Sequence, residues 1–151
     1  MPKAHVIFAT ITGNNEDIAD IVTEALEDLG LTVLETEISQ TDVAELQAAD
    51  LIVICPYTYD EGHLPEEGLD FYDDLATADL GSKVFGVAGS GDVFYQEFYN
   101  TAVDKFTMAL KNTGATQGAA SVKINLDPDE ADIKTLDDFA NQLVDTLKNQ
   151  N

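Results

Sequence analysis

Leu51-Ile52-Val53-Ile54-Cys55 is an unbroken apolar run of strand length, set between Asp50 and the Pro56-Tyr57 turn signal. A strand with no polar face is buried on both sides, as in a parallel sheet. Two more runs have the same character, Val6-Ile7-Phe8-Ala9 and Val84-Phe85-Gly86-Val87-Ala88. Thr32-Val33-Leu34-Glu35-Thr36 alternates and reads as lying nearer an edge, and Ala119 to Ile124 reads as a fifth, weaker strand. Between them the period changes. Ile18, Ile21, Val22, Ala25, Leu26 and Leu29 step by three and four, as do Leu136, Phe139, Ala140, Leu143, Val144 and Leu147. Ala102, Val103, Phe106, Ala109 and Leu110 form a third helical stripe that stops at Asn112-Thr113-Gly114. Strands alternating with amphipathic helices imply a parallel sheet covered on both faces. The expected fold is a three-layer α/β/α sandwich around a doubly wound, five-stranded parallel sheet, built as a single domain over residues 1–151.

Composition narrows the function. The apolar fraction of 44% and charged fraction of 24% are ordinary for a globular chain, but 29 acids against seven lysines and no arginine leave a net charge of −22. Nineteen acids and no lysine lie between Ala4 and Ser82. Such a surface repels nucleic acid and anionic membranes, whose partners need Lys and Arg, and attracts basic proteins at low salt. Simple solubility, or a saline cytoplasm, explains the same acidity equally well. No apolar run has the length of a membrane span. Met1-Pro2-Lys3 leads almost at once into a strand, leaving no room for a signal peptide, and Cys55 stands alone, so the expected setting is the cytoplasm. Cys55 reads as a small core residue rather than a reactive thiol. His5 reads as packed or hydrogen-bonded within the first strand, and His63 as a loop histidine.

In doubly wound sheets, ligands sit beyond the carboxyl ends of the strands where the winding reverses. Three loops are therefore the ones to read. After the first strand come Thr10, Ile11, Thr12, Gly13, Asn14 and Asn15, running straight into a helix. Small hydrogen-bonding side chains beside the unpaired N–H groups of a helix start can hold an anion without any cation; the same residues also make ordinary N-caps. The loop lacks the glycines and Lys-Ser/Thr of a Walker A sequence and the G-x-G-x-x-G of a dinucleotide fingerprint. After the third strand come Pro56, Tyr57, Thr58, Tyr59, Asp60 and Gly62, with two tyrosines to face something planar. After the fourth come Gly89, Ser90, Gly91, Asp92, Tyr95 and Phe98, with glycines that permit close backbone approach and another aromatic. Each loop alone is ambiguous. An anion cradle and two aromatic loops at one end of a sheet together describe a flavin mononucleotide site.

These residues resemble the flavodoxins over essentially the whole chain. Thr10, Thr12, Gly13 and Asn14 match that family's phosphate loop, with Asn15 in place of its last threonine. Thr58 to Pro65 is similar to its second loop, with Tyr59 for tryptophan and Asp60 for glycine; Gly89, Gly91, Asp92 and Tyr95 match its third. The length resembles the short-chain branch. The resemblance implies strand order 2-1-3-4-5, non-covalent FMN, and low-potential electron transfer between redox proteins rather than turnover of a substrate. It implies that Tyr59 and Tyr95 flank the flavin ring, that backbone near Ser90 and Asp92 meets its pyrimidine edge, and that the carbonyl of Asp60 turns toward flavin N5 on reduction. Asp60 tolerates that turn less well than glycine. The implied partners are basic-surfaced redox proteins, such as a flavodoxin/ferredoxin reductase and electron-accepting enzymes, met by a monomer.

Two other readings share the architecture. A phosphoryl-accepting receiver domain needs acids after the first strand and an aspartate ending the third, where Ala9-Thr10 and Cys55-Pro56 stand. A flavin enzyme such as a quinone reductase needs further loops for its substrate, and 151 residues leave little room for them. No His/Cys spacing suggests a metal.

Overall fold

A computed structural model describes residues 3–9, 14–56, 66–91, 101–125 and 128–149. The chain runs β1 (Lys3–Phe8), α1 (Asn14–Asp28), β2 (Thr32–Glu37), two 3-10 turns (Ile38–Gln40 and Val43–Ala48), β3 (Leu51–Cys55), α2 (Glu66–Leu75), β4 (Val84–Gly91), α3 (Thr101–Asn112), β5 (Thr116–Gln117), β6 (Val122–Asn125) and α4 (Glu130–Asn149). All strand pairs are parallel, in the order β2-β1-β3-β4-β5, with β6 also on β4. This is the expected doubly wound sheet.

The five residues of β3 are all buried, because β3 is a central strand with a packed layer on either side. On one face Val53 and Cys55 join Ala4, Val6, Ile18, Val22 and Leu26, together with the α4 stripe Leu136, Phe139, Ala140, Leu143, Val144 and Leu147. On the other, Ile52 and Ile54 pack with Ile7, Phe85, Phe71, Leu75, Val103, Phe106 and Leu110. Helices α1 and α4 thus cover one side, α2 and α3 the other. The third helical stripe closes as read: Gly114 takes φ +89°, and the buried Thr113 hydroxyl donates to the Leu110 carbonyl at 2.5 Å.

The fifth strand departs from expectation. The sequence predicts one strand over Ala119 to Ile124; the structure instead splits this position into β5, alongside Val84 and Phe85, and β6, alongside Ala88 to Gly91. The break has a steric cause. A Cβ at Gly118 would lie 2.6 Å from Val84 Cγ1 and 2.9 Å from Leu143 Cδ2, so the chain squeezes between β4 and α4 here and then bows out. Its polar groups find other partners: Gly118 N–H donates to Phe85 O (2.9 Å), Thr146 Oγ1 to Gly118 O (2.9 Å), and Gln117 Nε2 to Ala119 O (3.0 Å). Gly118→Ala is expected to cost about 1–3 kcal/mol by overpacking. Urea denaturation measures it; an unchanged midpoint would show that Leu143 simply moves aside.

Candidate flavin site at the carboxyl ends of β1, β3 and β4

With order β2-β1-β3-β4-β5, the chain winds one way from β1 to β2 and the other way from β3 onward, so the crevice lies between β1 and β3. The ends of these strands are locked level. Ala9 N–H donates to Cys55 O at 3.0 Å, and both residues are buried, as is Pro56. β4 overruns them. Ile54 is paired with Val87, so Gly89 stands beside Pro56 and Ser90-Gly91 project further, held by β6 through Ile124 and Asn125.

The tight spot is Gly89. A Cβ there would strike the carbonyl oxygen of Pro56 and lie 2.8 Å from Val103 Cγ2 and 3.1 Å from Pro56 Cδ. The sequence suggested a glycine for approach to a ligand; the described close neighbours are Pro56 and Val103. Gly89 lets β4 pass flush over the end of β3 and so fixes where its loop begins.

Of the eighteen candidate positions, Asn14, Asn15, Pro56, Gly89, Ser90 and Gly91 are described. Asn14 and Asn15 open α1, immediately behind the end of β1, where the first-turn N–H groups lack helical partners. Thr10, Ile11, Thr12, Gly13, Tyr57, Thr58, Tyr59, Asp60, Gly62, Asp92, Tyr95 and Phe98 lie outside the described residues. So do His63, Leu64 and Pro65.

The electrostatics are one-sided. The first turn of α1 carries Glu16 and Asp17 and no base. Glu35 on β2 has its carboxyl pushed up to about 7, first by burial and then by hydrogen bonding to and repulsion from Asp20; Thr23 offsets this in part and Glu16 adds to it. The buried Thr23 hydroxyl completes no hydrogen bond of good geometry, so its help to the Glu35 charge is slight. Burial raises the Cys55 thiol, and the charge of Glu35 adds to the rise. Sequence reading missed Glu35, because only the register and α1 bring it near Asp20. His5, by contrast, sits as expected: it is buried, with Nε2 2.8 Å from Thr36 Oγ1, and burial lowers its pKa while Glu45 opposes that. Among the described residues no cluster of three or more His, Cys, Asp or Glu is placed to hold a metal ion.

A switch-point crevice with a helix N-terminus behind one wall and a glycine-bearing strand overhanging the other is the arrangement of a mononucleotide-binding α/β protein. A flavodoxin family model matches residues 6–138. Probable flavodoxin 2 of Bacillus subtilis (strain 168) is 34% identical over 143 residues, covering 94% of each chain. Among solved structures, a short-chain flavodoxin associated with a non-canonical PDU bacterial microcompartment is 59% identical at a TM-score of 0.96, over 97% of this chain and 99% of that one. The flavodoxin of Streptococcus pneumoniae TIGR4 is 45% identical at 0.92, over 95% and 98%. The chain belongs to the flavodoxin family, of the short-chain kind. It is a small FMN-binding electron-transfer protein, a carrier between redox proteins rather than an enzyme. Flavodoxins are themselves among the folds from which the switch-point rule was drawn.

Proposed function

We propose that this chain is a single-domain, monomeric, cytoplasmic, low-potential carrier, with FMN seated across the β1–β3 crevice and basic-surfaced redox proteins, a flavodoxin/ferredoxin reductase among them, as its partners. The observation that carries the reading is the level locking of β1 and β3 under the overhang of β4, since all three candidate loops leave from those ends. Among the described residues no helix is long and apolar enough to cross a membrane.

Bound FMN supplies reversible uptake of one or two electrons. The chain supplies position and field. Thr10, Thr12, Gly13, Asn14 and Asn15, with the first N–H groups of α1, would donate to the phosphate, with Ile11 in the same loop. Pro56, Tyr57, Thr58, Tyr59, Asp60 and Gly62 would hold the flavin from one side, Tyr59 offering an aromatic face. Gly89, Ser90, Gly91, Asp92, Tyr95 and Phe98 would hold it from the other, Tyr95 offering the second aromatic face and backbone near Ser90 and Asp92 hydrogen bonds to the pyrimidine edge. No lysine lies in these three segments, whereas Asp60, Glu61, Glu66, Glu67 and Asp92 do lie in or near them. Each raises the energy of negative charge added to the ring, which lowers the potential and favours basic partners.

Purified protein is expected to be yellow, with one FMN per chain and tyrosine-quenched flavin fluorescence, and to regain both after stripping and FMN addition. A colourless chain that ignores FMN would overturn the site. Raising salt from low to high is expected to lift the lower potential by tens of millivolts, on the order of 1 kcal/mol, by screening exposed acids. A potential indifferent to salt would place control in the ring's immediate contacts.

A further inference from the structure

We propose that the outer edge of β2, with the cavity beside it, is a docking site for an extended, lysine- or arginine-rich segment of a partner protein. The segment adds to the sheet as a further strand and seats an apolar side chain against Leu34. This goes beyond the carrier function, because the site lies away from the crevice.

The edge comes first. β2 pairs with β1, and among the described residues no strand pairs with its other side. It is six residues long, without Pro or Gly, so its backbone is a regular template for strand addition. Thr32, Leu34 and Thr36 share the face of His5, as the His5–Thr36 hydrogen bond requires. That is the face covered by α2 and α3 over the middle of the sheet. Over β1 and β2 it is met by the 3-10 turns, whose Ile38, Val43 and Leu46 are buried there. Cover stops short of Leu34, which is 53% exposed.

The cavity comes second. About 350 Å³ opens between the start of β2 and the Val43–Ala48 turn, lined by His5, Thr32, Leu34, Glu45, Ala48 and Ala49 among others. This is room for one large apolar side chain beside Leu34. His5 Nε2 is already paired with Thr36 Oγ1, so an apolar occupant leaves that nitrogen satisfied.

Charge then selects the occupant. Edge strands are protected by charged side chains, and here the protection is acidic. Glu35 stands on the back face of β2 beside Asp20, and Glu45 stands at the cavity. Lys3 is the single base in the first 82 residues. A second copy of this chain would bring acids against acids. A basic segment does the reverse: its main chain pairs with β2, its apolar side chains face Leu34 and the cavity, and its alternate lysines lie on the opposite face, toward Glu35 and Asp20. The cavity begins at Lys3 and Thr32, the starts of β1 and β2, whereas the flavin crevice lies beyond the ends of β1 and β3. A docked segment therefore tethers the carrier and leaves its redox end open.

The test is an amide-shift titration of the FMN-loaded full chain with the peptide acetyl-Lys-Val-Lys-Leu-Lys-Val-Lys-amide. Saturable shifts are expected at His5, Thr32 to Thr36 and Glu45 to Ala49. Binding should weaken at least tenfold in Leu34→Asp, and also for a peptide of equal charge with both valines replaced by proline. Ala48→Phe, which fills the cavity from an exposed rim position, is the second variant and should weaken binding without touching β2. Shifts spread over the acidic surface, or equal binding by the proline peptide or by both variants, would overturn the proposal. Dimerisation of the free chain, abolished by Leu34→Asp in sedimentation, would overturn it in favour of a second copy.

Discussion

Gly89→Ala is expected to cost about 3 kcal/mol, near the upper end for overpacking, and roughly 10 °C in melting temperature. Its added methyl collides with the Pro56 carbonyl oxygen, a backbone atom that cannot rotate away, and with Val103 on the far side. Gly86 offers an internal control. A Cβ there meets Phe139 Cζ at 2.6 Å and Leu143 Cδ2 at 2.8 Å, which are ends of side chains able to shift. Gly86→Ala should therefore cost less, about 1–2 kcal/mol, through the core alone. The two variants should also part in cofactor binding. Gly89→Ala should push β4 off the end of β3, where the proposed flavin loops begin, and FMN affinity should fall at least tenfold; Gly86→Ala should keep it. Thermal melts of the apoprotein and fluorescence titration with FMN measure both. Equal FMN affinity in the two variants would separate Gly89 from the site.

Glu35→Gln should stabilise the apoprotein by about 1–2 kcal/mol at pH 8, after allowance for solvent around a half-buried group, and change little near pH 4. The sign follows from the raised carboxyl. A folded-state value of about 7 means the fold holds the proton more tightly than the unfolded chain does. That stabilisation is fully present below the unfolded value near 4.5 and is lost as pH rises through about 7. Glutamine keeps the neutral form throughout. The gap between variant and parent should thus open between pH 4.5 and 7 and then level off. Urea denaturation across that range reads it directly, and a gap that is constant with pH would assign the change to packing instead.

The layers and the order of the long elements were legible because they rest on local period. Leu51 to Cys55 is apolar on both faces, and the α4 stripe from Leu136 to Leu147 is buried at every apolar step foreseen. What escaped depended on contacts distant in the chain. The split of the fifth strand is set by Val84 and Leu143 pressing on Gly118, and nothing in Ala119 to Ile124 records those neighbours. Pro56 and Val103 pressing on Gly89, and Asp20 meeting Glu35, belong to the same class. The candidate loops could be placed at the ends of β1, β3 and β4 because the switch-point rule converts topology into location, and the ends of β1 and β3 stand level in the sheet.

The broken fifth strand also bears on how the sheet meets other chains. A long straight sheet margin is where chains pair edge to edge and stack into fibres. On the β4 side that margin consists of two residues, a bow, and four residues, too short and too bent to template a neighbour. The squeeze at Gly118 thus also keeps this side of the sheet from offering a straight edge to a second chain.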